Sequence, residues 1–253
     1  MIHIQESTLS LPIAGKEPTV GEMVAADFRK SEVFRQFGID YCCGGKKPLD
    51  EICQKKNIDP NLVREALQAL DRMPRFDHAE VANQPLDQLA EHIVAQHHRY
   101  VNESIPILYE LTAKVARVHG ERHPELHDIA RHFSAVANEL QLHMHKEERM
   151  LFPYITELAV ASREGRRVMR PIFGSVTHPV RMMEAEHESA GSAMEEIRRL
   201  SADFTPPDGA CTSYRVLFAK LNEFEQDLHR HVHLENNVLF PKAIELEGEA
   251  FVD

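Results

Sequence analysis

The sequence predicts an all-α protein, a four-helix bundle preceded by a small helical domain, and three observations carry that prediction. Apolar residues recur at three- and four-residue steps over long stretches, as on one face of an amphipathic helix. No segment shows the alternation of a strand. The segment H-x-H-x-E-x-x-x-L-F-P occurs twice, as His143, His145, Glu147, Leu151, Phe152 and Pro153, and again as His231, His233, Glu235, Leu239, Phe240 and Pro241.

In chain order, Thr19 and Glu22 come first, forming the ends of a capping box that opens a short helix running toward Phe37, and Gly38 stops it. Residues 49–56 and 60–71 read as two more short helices. Residues 73–85, with Pro74 and Pro85, break the periodicity and read as a linker. The chain therefore divides into a small domain, residues 1–80, and a bundle, residues 81–253. The bundle helices are expected at roughly 86–117, 124–159, 178–201 and 212–246. The connection 161–177 is long and basic, with Arg163, Arg166, Arg167 and Arg170; it reads as a solvated loop.

The repeat points to chemistry. Residues four apart share a helix face, so His143 stands over Glu147 and His231 over Glu235. The first stripe runs through Ile129, Phe133, Val136, Leu140, His143, Glu147 and Leu151; the second runs through Leu217, Leu221, Phe224, Leu228, His231, Glu235 and Leu239. In each, the only polar members are the His and the Glu. A carboxylate taken into a core unpaired costs several kcal/mol or becomes neutral. One such pair could be a hydrogen bond within a bundle, but two in the same register indicate a metal site. His98 and His187 repeat at nearly the same offset, each within an apolar stripe, whereas His97 shares its face with Tyr100 and Ser104. Four imidazoles and two carboxylates thus converge in the bundle centre, where such folds build di-iron and di-manganese sites. Nitrogen and oxygen ligands without thiolate suit iron or manganese. Even with Glu147 and Glu235 both bridging, coordination positions stay open for a small molecule.

Neighbouring polar residues take lesser roles. Glu148 lies five residues after His143 and is matched by Asn236 in the second copy, so it reads as a surface residue. His145 and His233 point away from the ligand face and read as outer groups. Glu139 and Asp227 stand four before each ligand histidine, where they could orient an imidazole or line a polar path. Glu186 precedes His187 and is placed near the site, while Glu184, in an E-x-x-H spacing, is held in reserve.

Composition sets limits on function. A net charge of −11 opposes a nucleic-acid footprint. No apolar run approaches a membrane span, and the first residues lack a secretory pattern; a cytoplasmic protein is expected. Asp40-Tyr41-Cys42-Cys43-Gly44-Gly45 fits no zinc spacing, and the flanking glycines suggest accessible, low-pKa thiols able to transfer electrons or metal. A tight turn with incidental cysteines is the alternative. Cys53 and Cys211 read as packing residues.

The double cysteine ahead of a bundle carrying His98, His143-x-x-x-Glu147, Glu-x-Glu-His187 and His231-x-x-x-Glu235 resembles the RIC family, the iron–sulphur cluster repair proteins of ScdA type with a hemerythrin-like domain. The likeness spans residues 18–246. It implies two non-haem irons, oxo-bridged, with His98, His143, His187 and His231 as terminal ligands and Glu147 and Glu235 as bridges. It also implies repair of clusters damaged by nitrosative or oxidative stress, nitric oxide binding or reductase activity at the irons, an electron donor, damaged iron–sulphur proteins as partners, and a homodimer. Cys42 and Cys43 match the family's paired cysteines. The stretch between Phe152 and His187 is longer than the family pattern and takes no role from it. A hemerythrin-like oxygen or nitric oxide carrier or sensor would use the same six ligands without the cysteines. A ferritin-like oxidase would require paired E-x-x-H motifs.

Overall fold

The computed structural model describes residues 17–71 and 79–250, and among them it is helical with no strand. Residues 73–78 of the expected linker lie outside the described residues; the remainder forms a short helix α5, Ala79–Ala82, and leads to Pro85 at the start of the bundle. The N-terminal part holds α1 Val20–Ala26, α2 Lys30–Gln36, α3 Leu49–Lys56 and α4 Pro60–Asp71. The capping box at Thr19 forms, with its hydroxyl accepting from Glu22 N and Glu22 accepting from Thr19 N. The helix it opens ends at Ala26, earlier than the sequence suggests, because Asp27 is extended and turns its carboxylate onto Arg29.

Four antiparallel rods make the bundle. The first is α6 Leu86–Ile93, a π-helical turn Val94–His98, and α7 Arg99–His119. The second is α8 Glu125–Lys146, a π turn Glu147–Leu151, and α9 Phe152–Glu164; the third is α10 Thr177–Leu200, without interruption. The fourth is α11 Thr212–Leu234, a π turn Glu235–Leu239, and α12 Phe240–Ala250. The first rod packs on the second and fourth, the second on the third, and the third on the fourth, which closes the ring.

The L-F-P end of the repeat explains two of the π turns. Pro153 and Pro241 have no N–H, so the carbonyls of Arg149 and Asn237 cannot receive the ordinary helical bond. The turn widens instead, and the N–H groups of Phe152 and Phe240 reach back five residues to Glu147 O and Glu235 O. Each of these two π turns begins at a glutamate of the repeat.

Two apolar clusters fill the bundle, one on each side of a polar layer. One contains Leu89, Ile93, Leu151, Ile155, Val180, Leu239 and Phe240. The other runs from Val101, Phe133, Leu140, Met194 and Phe224 into Val20, Phe34, Tyr41 and Cys53 of the N-terminal helices, so those helices share a core with the bundle. The basic connection is shorter than expected: α9 extends to Glu164 and ends at Gly165, which is left-handed with φ +66°. Two of its arginines are paired, Arg163 with Asp87 and Arg166 with Glu157 and Glu164.

Candidate metal centre

Between the two apolar clusters the rods bring together the six residues expected from the repeat. His98, His143, Glu147, His187, His231 and Glu235 are each at most 2% exposed. They form two overlapping groups able to hold a metal ion, His98 with Glu147, His231 and Glu235, and His143 with Glu147, His187 and Glu235. Both glutamates belong to both groups. This is the placement that two bridging carboxylates between two terminal pairs of imidazoles need.

Hydrogen bonds on the far side of three rings fix how they face the centre. His98 Nδ1 donates to Glu148 Oε1 at 2.8 Å, His143 Nδ1 to Glu186 Oε2 at 2.8 Å, and His187 Nδ1 to Asn236 Oδ1 at 2.9 Å. A carboxylate or amide oxygen can only accept, so Nδ1 carries the proton and Nε2 offers its lone pair inward. Two of those lone pairs meet, His187 Nε2 lying 2.9 Å from His143 Nε2; His98 Nε2 lies 3.2 Å from Nε2 of His231, a ring that also approaches Glu235 Oε1 at 3.0 Å. Two lone pairs at such a separation repel unless a cation lies between or beside them.

The carboxylates tell the same story. Glu147 and Glu235 are fully buried, and both oxygens of Glu147 and Oε2 of Glu235 lack an aligned hydrogen bond. They nonetheless approach the ring nitrogens, with His143 Nε2 at 3.2 Å and His98 Nε2 at 3.4 Å from Glu147, and His187 Nε2 at 3.1 Å from Glu235. Donor atoms that converge without pairing suit a shared cation, since an orphaned buried carboxylate is strongly unfavourable. The residues therefore fit a pair of metal ions.

Without metal, protons must take that place. Burial disfavours a charged ring at His98, but Glu147 and Glu235 outweigh it and raise its pKa to about 10. Burial likewise opposes charge at His143, and Glu147, Glu235 and Glu186 raise it to about 9. Burial also opposes ionisation of both glutamates, and the facing imidazoles hold both below the usual carboxylate range.

Several sequence expectations are corrected around this core. Glu148 is half-exposed but is no bystander, because it holds His98. Glu148 stands at the start of the π turn Glu147–Leu151, from where its carboxylate reaches His98 on the neighbouring rod. Glu186 touches the site as expected, bonded to His143 and to Lys146. Glu139 does not; it is exposed and accepts from Ser189 Oγ. Asp227 orients no ligand directly, for its Oδ1 accepts from His97 Nδ1 at 2.9 Å. His97 is buried, and its ring stacks on that of His231 with an interplanar angle of 8°. His145 is exposed as expected, whereas His233 is buried beneath Tyr41 and Phe28. Glu184 pairs with Lys46 and stays outside the centre.

Asn236 and Asn237 were not singled out by their sequence, and both bond to the surroundings of the centre. Asn236 holds His187, while Asn237 Nδ2 donates to the carbonyl of Cys42 at 3.1 Å. Three consecutive residues, Glu235, Asn236 and Asn237, thus touch the centre, a ligand histidine and the cysteine turn. The signal was the polar Glu-Asn-Asn run between the apolar Leu234 and Val238, both buried.

The cysteine turn is built by Asp40, whose Oδ1 accepts from the N–H groups of Cys42 and Cys43 and whose Oδ2 accepts from Gly44. Gly45 serves backbone packing more than thiol access, since a Cβ there would lie 2.2 Å from Tyr41 O. The two sulphurs are 3.9 Å apart. Cys42 is buried, and its thiol, in contact with Cys43, desolvated and beside Asp40, is pushed well above its ordinary value, which overturns the low-pKa expectation for that residue. Cys43 is partly exposed. Cys53 packs in the core as expected; Cys211 does not, being exposed with Sγ 3.2 Å from His119 Nε2.

No helix among the described residues is long and apolar enough to cross a membrane. Residues 16–71 match a family model described as a domain of unknown function, ScdA_N, and residues 89–243 match the hemerythrin HHE cation-binding domain. The chain is 36% identical over 234 residues to the iron–sulphur cluster repair protein YtfE of Yersinia pestis (strain Pestoides F), covering 92% of this chain and 99% of that protein. It matches YtfE of Yersinia pseudotuberculosis serotype IB (strain PB1/+) at the same identity and coverage. With its hemerythrin-type bundle, its ScdA-type N-terminal region and relatives of this length and identity, the chain belongs to the RIC family of iron–sulphur cluster repair proteins.

Proposed function

We propose that this protein binds two non-haem irons, oxo-bridged at rest, through His98, His143, Glu147, His187, His231 and Glu235, and that it repairs iron–sulphur clusters damaged by nitrosative or oxidative stress. The observation that carries the metal reading is the set of inward Nε2 lone pairs facing two orphaned, fully buried carboxylates. Repair is what the name of the Yersinia relatives states of them, and the vicinal thiols docked on the ligand-bearing helix support it here over a carrier or sensor. When bound, iron would supply open positions for nitric oxide, to bind or reduce it, and a labile metal for a damaged cluster.

The protein's own residues do the rest. Glu148, Glu186 and Asn236 hold three rings in the tautomer that presents Nε2. The apolar clusters on either side of the polar layer keep bulk water from the carboxylates. Cys42 and Cys43 would pass electrons or iron between the centre and a client or donor, and Asn237 fixes their turn to the metal-bearing helix. The partners of this reading are damaged iron–sulphur proteins, nitric oxide and an electron donor, in the cytoplasm, with the protein as a homodimer. The segment 81–253 is proposed as the metal-binding unit and 1–80 as the thiol-bearing one.

Recovery of an iron–sulphur enzyme inactivated by nitric oxide tests the proposal, with wild type compared to the Cys42→Ser/Cys43→Ser variant. The variant is expected to keep its iron and its nitric oxide binding while recovery falls. Full recovery by the variant contradicts a thiol step. Catalytic nitric oxide consumption by reduced wild type would mark an enzyme, and stoichiometric binding alone a carrier.

A further inference from the structure

The cysteine turn opens into a cleft of about 830 Å³ between the N-terminal helices and α10, a size that takes a small molecule. Cys43 lines it, partly exposed, with Gly191 of α10 facing its Sγ across the cleft. Lys56 and Arg181 line it too, both exposed and without an ion pair among the described residues. Glu188, on the α10 wall, adds an acceptor. A chain of net charge −11 thus places two unpaired cations on the walls of a cleft that also holds a thiol.

From this cleft we infer a binding site for a low-molecular-weight peptide thiol carrying two carboxylates and one ammonium group, which exchanges with Cys43. Lys56 and Arg181 would take the carboxylates and Glu188 the ammonium. The exchange balances as two displacements. The Cys43 thiolate attacks the small disulfide RS–SR, forming Cys43–S–SR and releasing RS⁻. Cys42 sulphur then attacks Cys43 Sγ, giving the vicinal disulfide and a second RS⁻, while the Cys42 proton passes to Asp40, whose Oδ1 is 3.1 Å from Cys42 Sγ. Two protein thiols are oxidised and one small disulfide is reduced; run backwards, two small thiols reduce the pair.

Geometry favours exchange over a lasting bond. Adjacent Cα atoms stand about 3.8 Å apart, closer than the roughly 4.4–6.8 Å of ordinary disulfides, so a vicinal disulfide is strained and readily reduced. The site would thereby supply the chemical class of the electron donor in the proposed repair. It rests on the thiol part of that reading but not on iron, so either can fail while the other stands.

The test uses the full chain with Cys211→Ser, which removes the exposed competing thiol. Oxidised glutathione, hydroxyethyl disulfide and cystamine, which are anionic, neutral and cationic, are each reacted with it. Modification at Cys43 is followed by intact mass and peptide mapping, with rates normalised to a free small thiol. Oxidised glutathione is expected to be preferred over cystamine on the order of tenfold, with the preference shrinking in high salt and reversing in Lys56→Glu/Arg181→Glu. Equal normalised rates, or a preference unmoved by the charge reversal, overturn the site. The adduct should resolve to the vicinal disulfide with Cys42 present and persist in Cys42→Ser; an adduct that persists in both overturns the second displacement.

Discussion

The two halves of the bundle match residue for residue at the ligands and differ in the layer behind them. In the first half, His98 is held by Glu148 and His143 by Glu186, both carboxylates. In the second, the position of Glu148 is taken by Asn236, which holds His187 through a neutral amide. The position of Glu186, just before a ligand histidine, is taken by His97, which stacks on His231, a ring whose Nδ1 has no hydrogen-bond partner among the described residues. Metal geometry constrains the inner set most tightly, whereas the outer set orients the rings and tunes their donor strength. Each group of four ligands contains one carboxylate-backed ring and one that is not, so the asymmetry of the halves gives two sites of similar character.

The largest expected effect comes from breaking what the halves share. Glu147→Ala or Glu235→Ala removes a member of both ligand groups, and iron bound per chain should fall to near zero with helix content retained. His143→Ala removes a member of one group only and should leave about one iron. Metal analysis beside circular dichroism checks this; equal losses from all three substitutions would show that the glutamates do not bridge.

Breaking what the halves do not share should matter less. Glu186→Gln and Glu148→Gln each turn a carboxylate partner into an amide, imitating the second half, and should weaken metal affinity by about 10–100-fold without changing stoichiometry. Asn236→Ala should cost less, because its bond is neutral. A competition titration with a chelator orders the three, and a larger loss from Asn236 would reverse the account of the outer layer.

A smaller effect concerns protons. In the metal-free protein His98 and His143 titrate at about 10 and 9, so both are charged at neutral pH, and their Nε2 atoms must lose protons to bind metal. Metal uptake at pH 7 should release protons, and affinity should fall as the pH is lowered. These raised values stabilise the metal-free fold fully below the unfolded histidine value near 6.5, and that contribution is lost as pH rises through 9 to 10. Thermal unfolding of the metal-free protein across that range reads the loss, and a melting temperature that instead rises there contradicts it.

Much of this was legible in the sequence. The bundle, the capping box and the helices at 49–56 and 60–71 follow from periodicity and end signals, because these are local. The six centre residues were legible because a repeat tests itself. The partners of the rings were not, because which surface carboxylate or amide reaches a ring depends on how the rods pack: Glu148 is exposed, as its position suggests, and still holds His98 across two rods. Cys42 was misjudged because contact with Cys43, burial and the Asp40 carboxylate together raise its thiol, and the burial comes from packing that the local sequence does not show. The shared core between the N-terminal helices and the bundle was likewise invisible to a reading of linkers.

The most direct measurement of the central claim is an anaerobic titration of the metal-free full chain with ferrous iron, read as metal bound per chain at saturation. Two irons per chain are expected at saturation, with an oxo-bridge absorption band after exposure to oxygen. Saturation at one iron, or two irons bound equally well by Glu235→Ala, would contradict a centre built from two ligand groups sharing both glutamates.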